Sequence, residues 1–372
     1  MAGASLSALA RRVPKSSSKT VEGMIRIPGG TFRMGSNDHY PEEAPAHRVS
    51  VDSFWIDPVP VTNRRFKDFV RATGYRTVAE SPPDPTNYPG AQPEMLHAGS
   101  LTFHPPRERG DTRDWTRWWT FLRGANWRHP YGPGSSIKGL DDHPVVHVAL
   151  RDAEAYVAWA GKALPTEAEW EFAARGGFDG AEYAWGDDFA PAGRRMANTW
   201  QGDFPHLNTA TGSDKRTTPV GAFPANGYGL FDIIGNVWEW TSDWYSATHP
   251  AEAAKACCIP RNPQGGREED SVDPRNPQVP IPCKVVKGGS HLCAPNYCRR
   301  YRPAARHAQP VDTSMSHVGF RCILREGGAV MTHAGSATRP NPMSPPSRTC
   351  GSTRSSGRAG PTTGPRPARR TT

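Results

Sequence analysis

Proline and glycine interrupt this sequence so often that long regular elements cannot form. The 372 residues include 38 Pro and 37 Gly. Proline lacks the amide hydrogen that a ladder needs, and glycine loses the most backbone freedom on ordering, so both favour turns. A chain punctuated this way needs large side chains to anchor its loops, and twelve Trp are available. Short helices followed by Gly- and Trp-rich strands and loops predict an irregular, loop-rich α+β fold.

Local patterns place the first elements. Ile25, Ile27, Phe32 and Met34 fall at strand-like intervals on either side of Gly29-Gly30, which predicts a hairpin. Residues 47–55 alternate as a further strand. Asn63 is the expected N-cap of a helix whose apolar stripe is Phe66, Phe69 and Val70. Residues 152–162 put Ala155, Tyr156, Trp159 and Ala160 on one helical face. Residues 164–177 read as a third helix, with Thr166 and Glu169 as its capping box and Gly176 as its stop. Between 81 and 139 the pattern dissolves, yet Trp115, Trp118, Trp119, Phe121 and Trp127 gather there. A long irregular stretch rich in tryptophan predicts an ordered, functional excursion.

Charge separates the ends from the body. The formal net charge is +9, but residues 327–372 hold seven Arg and no Lys, Asp or Glu, and residues 1–22 carry a net +3. The remainder is close to neutral, which argues against nucleic-acid binding, since phosphate recognition needs a clustered basic surface. Residues 1–22 read as a disordered leader, 23–326 as one domain and 327–372 as a disordered Ser/Pro/Arg-rich tail. No run of 18 apolar residues is present, so no membrane span is expected. The weak apolar segment before Arg11 and Arg12 makes a poor secretory signal, and seven cysteines do not form an even disulfide framework. Cytoplasmic residence is the expectation.

The chemistry concentrates in residues 287–302, where Cys293 and Cys298 stand five residues apart after a glycine pair and before Arg299, Arg300 and Arg302. Thiolates are soft ligands for Cu(I), zinc or iron–sulfur clusters, and nearby arginines favour thiolate over thiol. On that spacing alone, a disulfide or two cysteines buried as small hydrophobes is the favoured reading. His291, His307 and His317 flank the pair, but the spacing is longer than that of usual zinc sites. Cys257, Cys258 and Cys283 form a separate, structural group, Cys322 reads as a buried thiol, and Cys350 falls in the tail. Carboxylates gather around Asp232 and Glu239, and a looser polar group surrounds Asn198 and Asp214. Backbone carbonyls between such carboxylates suit calcium. No G-x-S-x-G elbow, P-loop or G-x-G-x-x-G occurs.

Residues 29–35, 124–130, 142–145, 164–177, 226–230, 235–240 and 318–321 together resemble the sulfatase-modifying-factor superfamily, in the same order and over about residues 24–325. The Cys293-x4-Cys298 pair, followed by Tyr301-Arg302-Pro303-Ala304-Ala305-Arg306, is similar to its formylglycine-generating branch of bacterial type. The resemblance implies a C-type-lectin-like fold. It implies an enzyme that uses O2 to oxidise the cysteine of a Cys-x-Pro-x-Arg motif in unfolded sulfatase chains to Cα-formylglycine.

By the same resemblance, Cys293 and Cys298 would hold Cu(I), with Ser290, Tyr297, Arg306 and Trp238 at the active site. Structural Ca2+ would be bound by Asp232, Glu239 and the carbonyls of Gly235 and Val237. A second calcium would take Asn198, the Thr199 carbonyl and Asp214, with Gly212 standing where the family has an aspartate. Val157, Ala174 and Pro303 occupy positions of disulfide cysteines in the animal enzymes, which implies a reducing compartment. A monomer is expected, with no nucleic-acid or membrane partner. Two other readings stand beside this one. An iron-dependent sulfoxide synthase would need histidine ligands, for which His39 and His47 lack a helical setting. A non-catalytic C-type-lectin-like binding module would not need the cysteine pair.

Overall fold

The computed structural model describes residues 21–88, 90–250, 259–273 and 281–326. The expected leader up to residue 20, the tail from 327, Cys257, Cys258 and Cys350 lie outside the described residues. Elements are short, as the Gly and Pro content requires. The chain begins with β1 (Ile25–Ile27), β2 (Gly30–Met34), β3 (His47–Val51) and β4 (Phe54–Ile56). Here the expected hairpin is corrected. β1 pairs with β4, while β2 pairs with β3. Residues 47–55 are likewise two strands, bent at Asp52-Ser53 into different sheets. Gly29 makes the crossing possible: its φ is +72°, and a Cβ there would lie 2.7 Å from the backbone of residues 51–53.

Three helices follow the sequence closely. α1 (Asn63–Thr73) is capped by Thr62, whose hydroxyl accepts from the Arg65 amide. Asn63, expected as the cap, turns inward instead and donates to the Leu140 carbonyl at 2.8 Å. A hairpin of β5 (Gly99–Phe103) and β6 (Trp119–Arg123) emerges from the irregular region. α2 (Leu150–Ala160) and α3 (Glu167–Arg175) come next. The capping box of α3 is formed: Thr166 Oγ1 accepts from the Glu169 amide at 3.1 Å, and Glu169 Oε2 accepts from the Thr166 amide at 2.7 Å. Gly176 ends it in the left-handed region.

The last third builds the sheet that carries the thiols. β7 (Trp238–Trp244), β8 (Cys283–Lys287), β9 (Arg306–Pro310) and β10 (Val318–Gly319) form a four-stranded sheet in the order β10-β7-β8-β9, with β10 parallel to β7. β11 (Ile323–Arg325) returns to β4 and closes the sheet β1-β4-β11. The main core packs Phe66, Trp127, Trp170 and Trp240 between α1, α3 and these sheets. A smaller aromatic cluster joins Trp118, Trp200, Phe204 and Leu292. Among the described residues no helix is long and apolar enough to cross a membrane.

Behind β8 lies a buried ionic layer. Lys287 donates to Glu171 at 3.0 Å, Arg175 to Glu171 at 2.7 Å and Arg306 to Glu167 at 2.8 Å. All five side chains are at most 3% exposed. Charges taken this far from water are costly unless paired, and each of the five has an opposite charge within hydrogen-bonding distance. The layer therefore fixes β8 and β9 against α3, and with them the connection between the two strands.

Candidate active site

The β8–β9 connection carries Ser290, Cys293, Tyr297 and Cys298. It leaves β8 through Gly288 and Gly289, both at positive φ. A Cβ on Gly289 would come within 3.0 Å of the backbone at Arg300 and Tyr301, so the returning chain needs glycine there. Beyond this corner the loop folds on itself. The Cys293 amide donates to the Ser290 carbonyl at 2.9 Å, and the Cys298 amide to the Ala294 carbonyl at 2.9 Å. The result brings Cys293 Sγ and Cys298 Sγ to 3.3 Å. That is well beyond the roughly 2.05 Å of a disulfide, so the pair is two thiols in hydrogen-bonding contact.

The two sulfurs are not equivalent. Burial pushes the Cys293 thiol well up, and its bond to Cys298 adds to this. The hydrogen bond from Cys293 draws the Cys298 thiol down against its own burial, with Arg300 helping. Arg300 Nη1 stands 4.0 Å from Cys298 Sγ. Glu42 accepts from its Nε at 3.1 Å and Nη2 at 2.5 Å, and the Tyr40 ring lies 3.8 Å from its guanidinium carbon. The pair is thus built to lose one proton at Cys298, leaving Cys293 as donor to the thiolate.

A cavity of about 270 Å3 opens over the sulfurs. Ser290, Trp238, Tyr297 and Arg300 line it beside them, with Trp118 and Trp119 reaching in from the β5–β6 hairpin. Tyr297 is 40% exposed and stacks on Phe204, ring centroids 4.4 Å apart. His307 and His317 complete the far wall. Burial lowers the His317 pKa well below its ordinary value, and that of His291 to about 4, so both are neutral near pH 7.

The structure separates the expected residues. Ser290, Tyr297, Trp238, Cys293 and Cys298 come together. Arg306 does not line the cavity: it is buried, donates to both Glu167 oxygens and gives its remaining arm to the Ser246 and Glu42 carbonyls. Its contact with the site is indirect, through the backbone of Glu42, whose side chain holds Arg300. Arg302 is likewise consumed by Glu43. Arg300 is the arginine at the sulfurs. Glu42 and Tyr40 carried no sequence signal, because they lie some 260 residues before their partner. His39 and His47 sit outside the cavity, His39 near Glu182 and His47 against His249.

The expected calcium residues divide too. Asp232 Oδ1 is buried with no hydrogen-bond partner among the described residues, while Oδ2 accepts from the Gly221 amide at 2.6 Å. Burial raises this carboxyl to about 6. A buried carboxylate with an unfilled oxygen fits a cation. Glu239, expected as a calcium ligand, does not fit. Both its oxygens accept from Arg321, at 2.6 and 2.7 Å, and one also from Trp170 at 2.8 Å. Its charge is already matched. At the second site Asn198 Oδ1 is also buried with no hydrogen-bond partner among the described residues, while the Thr199 carbonyl accepts from Gln201. The Asp214 side chain lies outside the described residues.

Fold and site together define a class: a loop-rich α+β scaffold of C-type-lectin-like type, with a paired-thiol cavity on the β8–β9 connection. A family profile described as sulfatase-modifying factor enzyme 1-like domain matches residues 10–326. The chain is 52% identical over 301 residues to a formylglycine-generating enzyme of Mycobacterium tuberculosis, covering 81% of this chain and 97% of that one. It is 42% identical over 315 residues to a protein of Bos taurus named as an inactive Cα-formylglycine-generating enzyme 2, covering 82% of this chain and 88% of that one. The chain belongs to the sulfatase-modifying factor enzyme family. The solved structure of PvdO from Pseudomonas aeruginosa shares the fold, with a TM-score of 0.52 at 21% identity over 82% of this chain and 94% of that one.

Proposed function

We propose that the chain is a formylglycine-generating oxidase. It oxidises the cysteine of a Cys-x-Pro-x-Arg motif in unfolded sulfatase chains, with O2 as oxidant, and so activates sulfatases. One observation carries this reading: two unbonded thiols 3.3 Å apart, one biased toward thiolate, on the wall of a cavity of about 270 Å3. The similarity to relatives named formylglycine-generating enzyme, 52% identical in one case, supports it, and the thiol pair is what a relative named inactive need not keep.

Cys293 and Cys298 form a donor set of two sulfurs suited to a soft monovalent ion. They would hold Cu(I), which when bound supplies the redox partner that lets O2 react with a substrate thiol. The chain's own groups do the rest. The Ser290 amide points at Cys293 Sγ at 3.4 Å and stabilises negative charge there. Arg300 holds the charge of Cys298. Tyr297, Phe204, Trp118 and Trp119 give the cavity an aromatic wall that sheds water from the reacting cysteine. The burial-raised Tyr297 hydroxyl, at about 12, stays protonated and available as a donor. Ca2+ at Asp232 with the Gly235 and Val237 carbonyls, and at Asn198 with Thr199, would brace the turns beneath the site. Residence in a reducing, cytoplasmic compartment and a monomeric state complete the proposal.

The test is mass spectrometry of a Cys-x-Pro-x-Arg peptide incubated with protein, copper and O2. A mass loss matching conversion of cysteine to the aldehyde is expected. Cys293→Ala and Cys298→Ala should each abolish Cu(I) binding and turnover. Near-normal turnover by either variant would sink the mechanism.

A further inference from the structure

A second cavity, of about 1000 Å3, opens at the other end of the β5–β6 hairpin. Leu96, Leu101, Phe121, Leu150 and Val311 give it a mainly apolar lining. Phe121 is 46% exposed although large and apolar. Cavities of this size and character are where proteins bind apolar groups.

Strand register connects it to the thiol cavity. Trp119 pairs with Phe103 and Phe121 with Leu101 across the hairpin. Alternate residues of a strand share a face, so Trp119 and Phe121 project from the same side, about 7 Å apart. Trp119 lines the thiol cavity and Phe121 the second one. The opposite wall is shared as well. Gln309 and Met315 line the thiol cavity, whereas Val311 and Ser314 line the second. This segment is tied to the hairpin, because the Leu101 amide donates to the Ser314 carbonyl at 3.2 Å and the Ser316 amide to the Leu101 carbonyl at 2.9 Å. This hairpin and this segment therefore contribute to the walls of both spaces.

We propose that the second cavity receives an apolar side chain of the same client polypeptide, two to four residues before the cysteine being oxidised, since after it the motif fixes Pro and Arg at two of those three positions. An extended chain advances about 3.3 Å per residue, so two to four residues span the hairpin face from Trp119 to Phe121 and into the cavity. The lining chooses the occupant: its exposed surface is mainly apolar, its acids Asp84, Glu94, Glu154 and Asp312 stand with the bases Arg76 and Arg151, and Asp312 already accepts the Tyr88 hydroxyl. Such a contact is made equally in the ground state and the transition state, so it lowers KM and leaves kcat alone. It also favours an unfolded client, because folded chains bury their large apolar side chains. The inference rests on the proposed activity at Cys293 and Cys298.

Steady-state kinetics of the copper-loaded full chain test it. A short Cys-x-Pro-x-Arg peptide with Gly/Ser flanks is compared with peptides carrying Leu or Phe at two, three or four residues before the cysteine. KM should fall about tenfold for an apolar residue at one of these positions, with kcat unchanged. Phe121→Ala should remove that gain and leave the short peptide's kinetics intact. Leu96→Glu, at another point of the same lining, should do the same. No gain for any apolar flank, or a gain that both variants retain, overturns the proposal. If the short peptide is not converted at all, the proposed activity has failed instead. The cavity is then read by binding of a fluorescent Leu-flanked peptide with Ser in place of Cys, which should weaken about tenfold in Phe121→Ala; equal binding by that variant overturns it.

Discussion

Arg300 sets the charge of the thiol pair, and its own position depends on two residues from the start of the chain. Glu42 grips its guanidinium on one side and the Tyr40 ring covers it. Replacing it by Gln should remove the cation beside Cys298, raise that thiol's pKa and weaken Cu(I) binding about tenfold, as loss of one charge-assisted contact does. Competition titration against a Cu(I) chelator measures this, and Arg300→Lys should recover part of the affinity. Unchanged affinity in Arg300→Gln would show that the sulfurs need no such neighbour. Arg306→Ala should behave differently. It leaves Glu167 buried with half its partners, costing about 3–5 kcal/mol in a urea midpoint, while the folded fraction keeps its copper affinity. The sequence could not tell these two arginines apart. Both follow the cysteine pair, and only the positions of Glu42 and Glu167 decide which one reaches the cavity.

At the scale of elements, α3 shows what local sequence can specify. Its cap, its stop and its length follow from Thr166, Glu169 and Gly176, all within one short segment. What local sequence does not show is why every residue of α3 is buried. Glu167 and Glu171, four residues apart, share one face and meet Arg306, Lys287 and Arg175. Thr166→Ala should cost about 1 kcal/mol through the lost cap, read as a lower thermal midpoint. Because the cap orients those carboxylates, slower copper-dependent turnover should accompany it; a variant with native stability would mean the box is ornamental. The first strands show the opposite case. Alternation in residues 25–34 revealed which side chains face inward but not which strand is the partner, and a sequence-local hairpin was the wrong choice. The β5–β6 hairpin was hidden for a related reason. Its two strands are separated by a loop of 15 residues rich in Arg and Pro, so no tight turn marks it.

Over the whole molecule, stability rests on many small sheets tied by buried polar groups, and pH should expose this. His147 is fully buried between Ser100 and the Pro130 carbonyl, and burial lowers its pKa to about 4. The unfolded chain binds a proton there below about 6.5 and the folded chain does not. Its contribution is therefore present above pH 6.5 and is lost as pH falls toward 4, by about 3 kcal/mol. His147→Gln should be less stable at pH 7, and its deficit should shrink as pH approaches 4, in denaturant titrations of both proteins. A deficit that stays constant across that range would mean the ring titrates alike in both states.

Asp232 has the opposite shift and a different consequence. Its carboxyl is raised to about 6 and its Oδ1 has no hydrogen-bond partner among the described residues. The Asn198 carboxamide oxygen is in the same condition, and Asn236 links the two turns by donating its amide to the Asn198 carbonyl at 2.8 Å. Two unfilled buried oxygens joined through one residue are a standing cost to the fold unless a cation answers them. Added Ca2+ should therefore raise the thermal midpoint at pH 7.5, by about 2.7 kcal/mol of stabilisation once the ion reaches a hundred times its Kd. Chelation should reverse it, and Asp232→Asn should lose most of it. Because protons compete for the same carboxylate, the calcium effect should fade as pH falls through about 6. A midpoint indifferent to calcium at every pH would leave Asp232 paired by water alone and remove the ion from the scaffold beneath the thiols.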